Sequence, residues 1–186
     1  MSDRIRYDNV AITLHWLIAA LIIGMLALGF FMEDFPPSIR FTAYDLHKAT
    51  GITILGLSIF RLTWRLLNPP PALAMPMAPW RMAAMHIVHW LLYGFMIAMP
   101  LSGWLFSSAA AKYPLHYYGL GTVPFIPMPA DEALRKTIGH LATEAHTLMG
   151  YGALALIAGH VGAALWHQFR ERDGLILRMW GTRARA

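Results

Sequence analysis

Four long apolar blocks leave this chain few folds to choose from. A helix crossing the hydrocarbon core of a bilayer needs roughly 20 residues at about 1.5 Å each. Blocks at about 11–32, 45–67, 82–107 and 142–169 meet that length. The first (AITLHWLIAALIIGMLALGFFM) and second (DLHKATGITILGLSIFRLTWRLL) carry charge only near their ends, and Pro100 and Gly103 are placed to kink the far end of the third. At 57% hydrophobic and 13% charged residues, the composition is unlike that of a soluble domain of this size. The expectation is an all-α integral membrane protein, a four-helix transmembrane bundle forming one domain over residues 1–186.

Arg4 and Arg6 before the first block suggest a signal peptide, but its apolar core is too long and no small-residue cleavage site precedes Glu33 and Asp34. It reads as a retained span. With four spans both termini share a side. That side, with the connection between spans two and three, holds Arg4, Arg6, Arg61, Arg65, Arg81, Arg170, Arg172, Arg178, Arg183 and Arg185. The other side holds only Arg40, Lys48, Lys112, Arg135 and Lys136. The imbalance, ten against five, predicts cytoplasmic termini. It also accounts for the net charge of +5 through anionic lipid rather than nucleic acid. The chain has no cysteine, which excludes a thiolate-held iron–sulfur cluster, covalent c-type haem attachment and disulfides.

Proline-rich connections, DFPPSIRFTAY and NPPPALAMPMAPW, bracket the second span. The outer connection, about 108–141, holds the aromatic segment KYPLHYYGLGTVPFIPMP and then ADEALRKTIGHLATEAH, which reads as a lid and a short helix feeding the fourth span.

Nine histidines stand out because several lie deep in the spans, where ionisable side chains are costly and face the bundle interior. In the fourth span His146 and His160 are fourteen residues apart. Fourteen helical steps turn about 1400°, some 40° short of four turns, and rise about 21 Å. Both imidazoles therefore share a face at different depths, and one metal ion cannot take both. His15, one turn inside the cytoplasmic end of the first span, matches the depth of His160. His47, at the outer start of the second span, matches that of His146. Two facing imidazoles in an apolar interior are what a six-coordinate b-type haem needs, so the pairs His15/His160 and His47/His146 are candidate iron ligands for two haems. Gly51 and Gly150, each four residues after a histidine, offer clearance on the same face.

The segments LHW, LHKATG, HIVH and AHTLMGYGALALIAGH, in this order from RYDNVAITLHW to DGLILRMW, resemble the bacterial cytochrome b561 family, which is related to the b-type cytochrome subunits of hydrogenases. The resemblance implies a di-haem b oxidoreductase of the bacterial inner membrane that passes electrons to ubiquinone or another quinone. Members include a superoxide oxidase. It assigns the same axial ligands: His15 with His160, and His47 with His146.

His86 and His89 share a face at the cytoplasmic start of the third span, as candidates for binding quinone or supplying its protons. Arg61 and Arg65 either meet haem propionates or anchor the second span. Arg40, Lys48 and Lys112 are candidates for drawing superoxide to the outer side. His116, His140 and His167 read as solvated, and the seven tryptophans as an interfacial belt. Two other functions compete: a haem-bearing anchor subunit for a separate dehydrogenase or hydrogenase, and a histidine-based metal or proton transporter. The second normally adds intramembrane carboxylates, which the span interiors lack.

Overall fold

The computed structural model describes residues 6–71, 78–112 and 114–180. Arg4, Arg183, Arg185 and residues 72–77 of the connection between spans two and three lie outside these residues. Four helices carry the fold: α1 (Asn9–Phe31), α2 (Pro37–Leu67), α3 (Pro79–Ala110) and α4 (Glu132–Trp166). All four are long and apolar enough to cross a membrane. Leucine, isoleucine, phenylalanine and tryptophan side chains are exposed along all four helices, an inversion that suits lipid rather than water.

Local sequence sets the helix ends. Asp8 caps α1 by accepting from the Ala11 N–H at 2.9 Å, and the Trp64 indole N–H donates to the same oxygen at 3.1 Å. That contact ties the start of α1 to the end of α2. Pro37 and Pro79 open α2 and α3, where a missing N–H costs nothing. Asp131 caps α4 through the Leu134 N–H at 2.7 Å.

Two boundaries differ from the sequence reading. The helix α2 begins at Pro37 rather than near residue 45, because the proline starts it before the apolar block does. The short helix expected before the fourth span is not separate. One helix runs unbroken from Glu132 to Trp166, since nothing after the Asp131 cap interrupts it. Pro100 lies inside α3, which continues past it to Ala110.

Between α3 and α4 the chain forms a small antiparallel hairpin, β1 (Leu115–His116) with β2 (Thr122–Val123). Leu115 plugs it against α2 at 2% exposure. The Trp104 indole donates to Pro124 O and the Ile126 N–H to Ser108 Oγ, both at 3.0 Å, which holds the rest of the loop to α3. At the opposite end, the residues after α4 fold back under the bundle. Tyr7 N–H donates to Arg178 O, Trp16 Nε1 to Met179 O, and Arg178 Nη2 to Pro71 O. The first and last described residues therefore meet at one end, here called the terminal end; the hairpin marks the loop end.

Candidate haem-binding site

Close backbone packing joins α1 to α2, α2 to α3 and α3 to α4. Neither α1 nor α2 packs closely along α4, and the histidines bridge that separation in two pairs. At the terminal end the rings of His15 and His160 have centroids 6.4 Å apart, with planes at 71°. At the loop end His47 and His146 have centroids 6.1 Å apart, with planes at 73°.

Those distances match a definite chemistry. With metal–nitrogen bonds of about 2.0 Å and about 1.2 Å from ring nitrogen to ring centre, two imidazoles on opposite faces of one metal have centroids roughly 6.4 Å apart. Among the described residues no cluster of three or more His, Cys, Asp or Glu could hold a metal ion. Two protein ligands at this spacing suit a metal that brings its own equatorial ligands, as haem iron does.

The surroundings of the loop-end pair fit that group. His47 Nδ1 is buried without a hydrogen-bond partner. His146 Nδ1 lies 3.0 Å from the Met99 carbonyl and 3.1 Å from Ser102 Oγ. A carbonyl only accepts, so Nδ1 carries the proton and Nε2 presents its lone pair to a metal. Glycines on neighbouring helices make room for both rings: a Cβ at Gly29 would stand 3.1 Å from His47 Cε1, and one at Gly103 would stand 3.1 Å from His146 Cε1. Space is also open at Gly51, one turn from His47 on its own face, whereas a Cβ at Gly150 would touch Met99 and Phe30.

The terminal-end pair has a different neighbourhood. Arg61 Nη2 lies 3.1 Å from His15 Nδ1, and Nη1 donates to Ala11 O at 3.4 Å. A guanidinium only donates, so this contact puts the His15 proton on Nε2. Coordination through Nε2 therefore requires Arg61 to release the ring edge. His89 stands beside the pair, its ring centroid 5.4 Å from that of His160. Its Nδ1 donates to Met85 O at 2.7 Å, which leaves Nε2 as an acceptor.

Of the other candidates, Arg40 is engaged locally, donating through Nε and Nη2 to Phe35 O. His167 pairs with Asp173 at 2.5 Å, and His140 lies 3.9 Å from Glu144. Gly29, Ser102 and the Met99 carbonyl were not picked out by the sequence reading, and Gly103 only as a kink in the third span. The only local signal was the MPLSG segment, 99–103, where a proline, a serine and a glycine interrupt an apolar helix.

Comparison with known proteins identifies the family. The profile of the family described as prokaryotic cytochrome b561 matches residues 6–182. Cytochrome b561 homolog 2 of Escherichia coli (strain K12) is 30% identical, over 95% of this chain and 92% of its own length. Cytochrome b561 homolog 1 of the same organism is also 30% identical, over 96% and 98%. A Yersinia pestis protein named probable superoxide oxidase CybB is 26% identical, over 94% and 95%. The chain belongs to the prokaryotic cytochrome b561 family, whose members are multi-pass membrane cytochromes carrying haem b.

Proposed function

We propose that this chain binds two haems b, held by His15/His160 and His47/His146, and carries electrons across the bacterial inner membrane to a quinone. The observation that supports this most is the pair of histidine bridges stacked along α4, at centroid distances of 6.4 and 6.1 Å. The distribution of arginine supports cytoplasmic termini, with the hairpin on the outer side. Bound at these sites, haem b supplies a one-electron couple.

The chain's own residues do the rest. The four histidines hold and orient the groups, and α4 spaces them by about 21 Å of helical rise. Apolar helix faces keep water out. An open groove of about 340 Å³, lined by Leu62, Trp90, Tyr93, Gly94, Ile97 and Leu101 among others, offers a quinone a path from lipid. Tyr93 lies one turn from His89, whose Nε2 is free to take or pass a proton beside the inner pair. His86 lies one turn nearer the cytoplasmic end of the same face.

Superoxide is the donor in this reading, which draws on the name of the Yersinia relative. It makes the chain an oxidoreductase of the superoxide:quinone type. A second reading has its own support. The outer connections carry Arg40, Lys48, Lys112, Arg135 and Lys136 against Glu33, Asp34, Asp45, Asp131, Glu132 and Glu144. A surface of nearly balanced charge suits docking by a redox protein, or service to a separate dehydrogenase, as well as capture of a small anion.

A reduced-minus-oxidised spectrum with pyridine-haem quantification tests the di-haem core. Two haems b per chain are expected; one or none overturns it. Stopped-flow reduction by superoxide, with and without quinone, decides between the donors.

A further inference from the structure

We infer that the terminal end carries a binding site for the headgroup of one anionic phospholipid, a phosphodiester that also bears a hydroxyl, held by Arg172 and Gln168 where the chain leaves α4. The site stands apart from the four histidines of the haem pairs and rests on the membrane-spanning fold alone.

Four charged side chains alternate after α4: Arg170, Glu171, Arg172 and Asp173. Both carboxylates are taken by the protein itself. Glu171 lies 3.3 Å from Arg81 Nη1 and accepts from the Trp166 indole N–H at 3.2 Å. Asp173 pairs with His167 and accepts from the Leu175 N–H at 3.1 Å. Among the described residues neither Arg170 nor Arg172 forms an ion pair. A segment with as many acids as bases thereby presents only its cations.

The two arginines differ in setting. Arg172 lines an open cavity of about 380 Å³ with Gln168, Phe169, Gly174 and Leu177; Arg170 is not among its walls. That volume falls within the roughly 300–1,000 Å³ of small-molecule sites. The backbone is shaped around it: the turn after α4 widens to π geometry over His167–Glu171, and Arg172 and Gly174 then adopt left-handed conformations, with φ of 53° and 73°. A non-glycine residue held left-handed is strained, and such strain gathers at binding sites.

Gln168 supplies a second, independent observation. Its Oε1 is buried without a hydrogen-bond partner. A buried acceptor left without a donor is costly, and the terminal torsion of a glutamine is broad enough to turn this oxygen toward the cavity. The cavity therefore suits a ligand that brings negative charge to Arg172 and an O–H to Gln168.

Position selects the kind of ligand. The cavity lies at the end of the fourth apolar span, and Phe169 and Leu177 in its wall, with Trp180 just beyond, are exposed. Exposed rings at the end of a span sit at the headgroup level of a bilayer. A soluble phosphate would leave these apolar walls in water, whereas a phospholipid covers them with the start of its acyl chains. Arginine meets a phosphate with two parallel N–H donors. A zwitterionic lipid brings its own cation beside Arg172, which disfavours it. A glycerol headgroup has no cation and carries the hydroxyl.

Native mass spectrometry of the full haem-loaded chain, delipidated in detergent, tests this. The probes are phosphatidylglycerol, phosphatidylcholine, and phosphatidylmethanol, which keeps the phosphodiester without the hydroxyl. One phosphatidylglycerol per chain should bind about tenfold more tightly than phosphatidylcholine, with phosphatidylmethanol between them. Arg172→Gln should remove most of that preference and Arg172→Lys should keep part of it, while Arg170→Gln should leave it in place. Gln168→Leu should close the gap between phosphatidylglycerol and phosphatidylmethanol without abolishing the preference over phosphatidylcholine. Haem content should match the wild type throughout; if Gln168→Leu loses haem, the three lipids on the wild type and the arginine variants decide. The inference is overturned if phosphatidylglycerol and phosphatidylcholine bind alike, or if Arg170→Gln weakens binding as much as Arg172→Gln, which would mean diffuse charge. Binding of glycerol phosphate as tight as that of phosphatidylglycerol would also overturn it, in favour of a site for a soluble phosphate.

Discussion

The hydroxyl of Tyr118 donates to Thr50 Oγ1 at 2.9 Å, bridging 68 residues of chain. It joins the tip of the hairpin to α2 one turn beyond His47. Tyr118 adopts a left-handed backbone with φ of 50°, a conformation that costs a non-glycine residue on the order of 1–3 kcal/mol. Thr53 Oγ1 adds contacts of 3.2 Å to the hydroxyls of Tyr117 and Tyr118. Tyr118→Phe should therefore cost about 1 kcal/mol of local stability, since Thr50 is 7% exposed and has little water to replace the lost donor. Hydrogen exchange across 115–123 should quicken roughly fivefold. Unchanged exchange would mean that the hairpin is held by Leu115 instead.

Replacing one ligand should remove one haem. His160→Ala should abolish the inner component and leave the outer largely bound, and His146→Ala should do the reverse. Each variant should retain half of the haem of the wild-type chain by pyridine assay and titrate as a single redox component. Retention of two bis-imidazole signals in either would sink the assignment.

Proton supply to the quinone should depend more on His89 than on His86. His89 has its Nδ1 fixed by the Met85 carbonyl and its ring against His160. His89→Ala should slow quinone turnover roughly 10²-fold, at the low end for loss of a positioned acid–base group, with both haems still bound. His86→Ala should slow it less. Wild-type turnover in the double variant would exclude both.

Asp8 makes a prediction about stability and pH. Its burial opposes ionisation, but hydrogen bonds from the Ala11 N–H and the Trp64 indole outweigh this and hold the carboxyl below its ordinary value. Stability from a group lowered in this way is fully present above the unfolded pKa, about 3.9, and is lost as pH falls through the folded value. Asp8→Ala should cost about 1 kcal/mol at neutral pH, while Asp8→Asn, also a good helix cap, should cost less. The gap between wild type and Asp8→Asn in thermal unfolding should close on acidification below about pH 4. A gap that widened there would contradict the sign.

If superoxide reduces the outer haem, its approach should feel nearby cations. The rate should fall as salt shortens the Debye length below about 8 Å, and fall again in Lys48→Glu. Arg40→Glu should slow it too, but that variant also loses the contact with the Phe35 carbonyl, so Lys48 is the cleaner probe. A rate insensitive to salt and to both reversals would favour a protein donor.

Much of this arrangement was legible before any coordinates. Span length and the depth of four histidines sufficed to pair His15 with His160 and His47 with His146, because helical rise converts sequence distance directly into depth. Neighbours across helices were not legible. Gly29 lies far from His47 in sequence, and Gly103 from His146. Spacing along one helix tells which face a residue is on, but not which residue of another helix stands opposite. The continuity of α4 was not legible for a related reason: the polar stretch from Glu132 to Glu144 reads as a short helix apart from the membrane span, yet nothing in it breaks the helix.

The unbroken course of α4 also restricts how such a chain can change. His146 and His160 belong to one rigid rod, so a single inserted residue between them would swing one imidazole about 100° around the axis and away from its partner. Loops elsewhere can lengthen freely, but this interval of fourteen residues can absorb substitution and not insertion. The distance between the two proposed haem sites is thus carried by a residue count, copied with the gene, rather than by any contact that a point mutation could loosen.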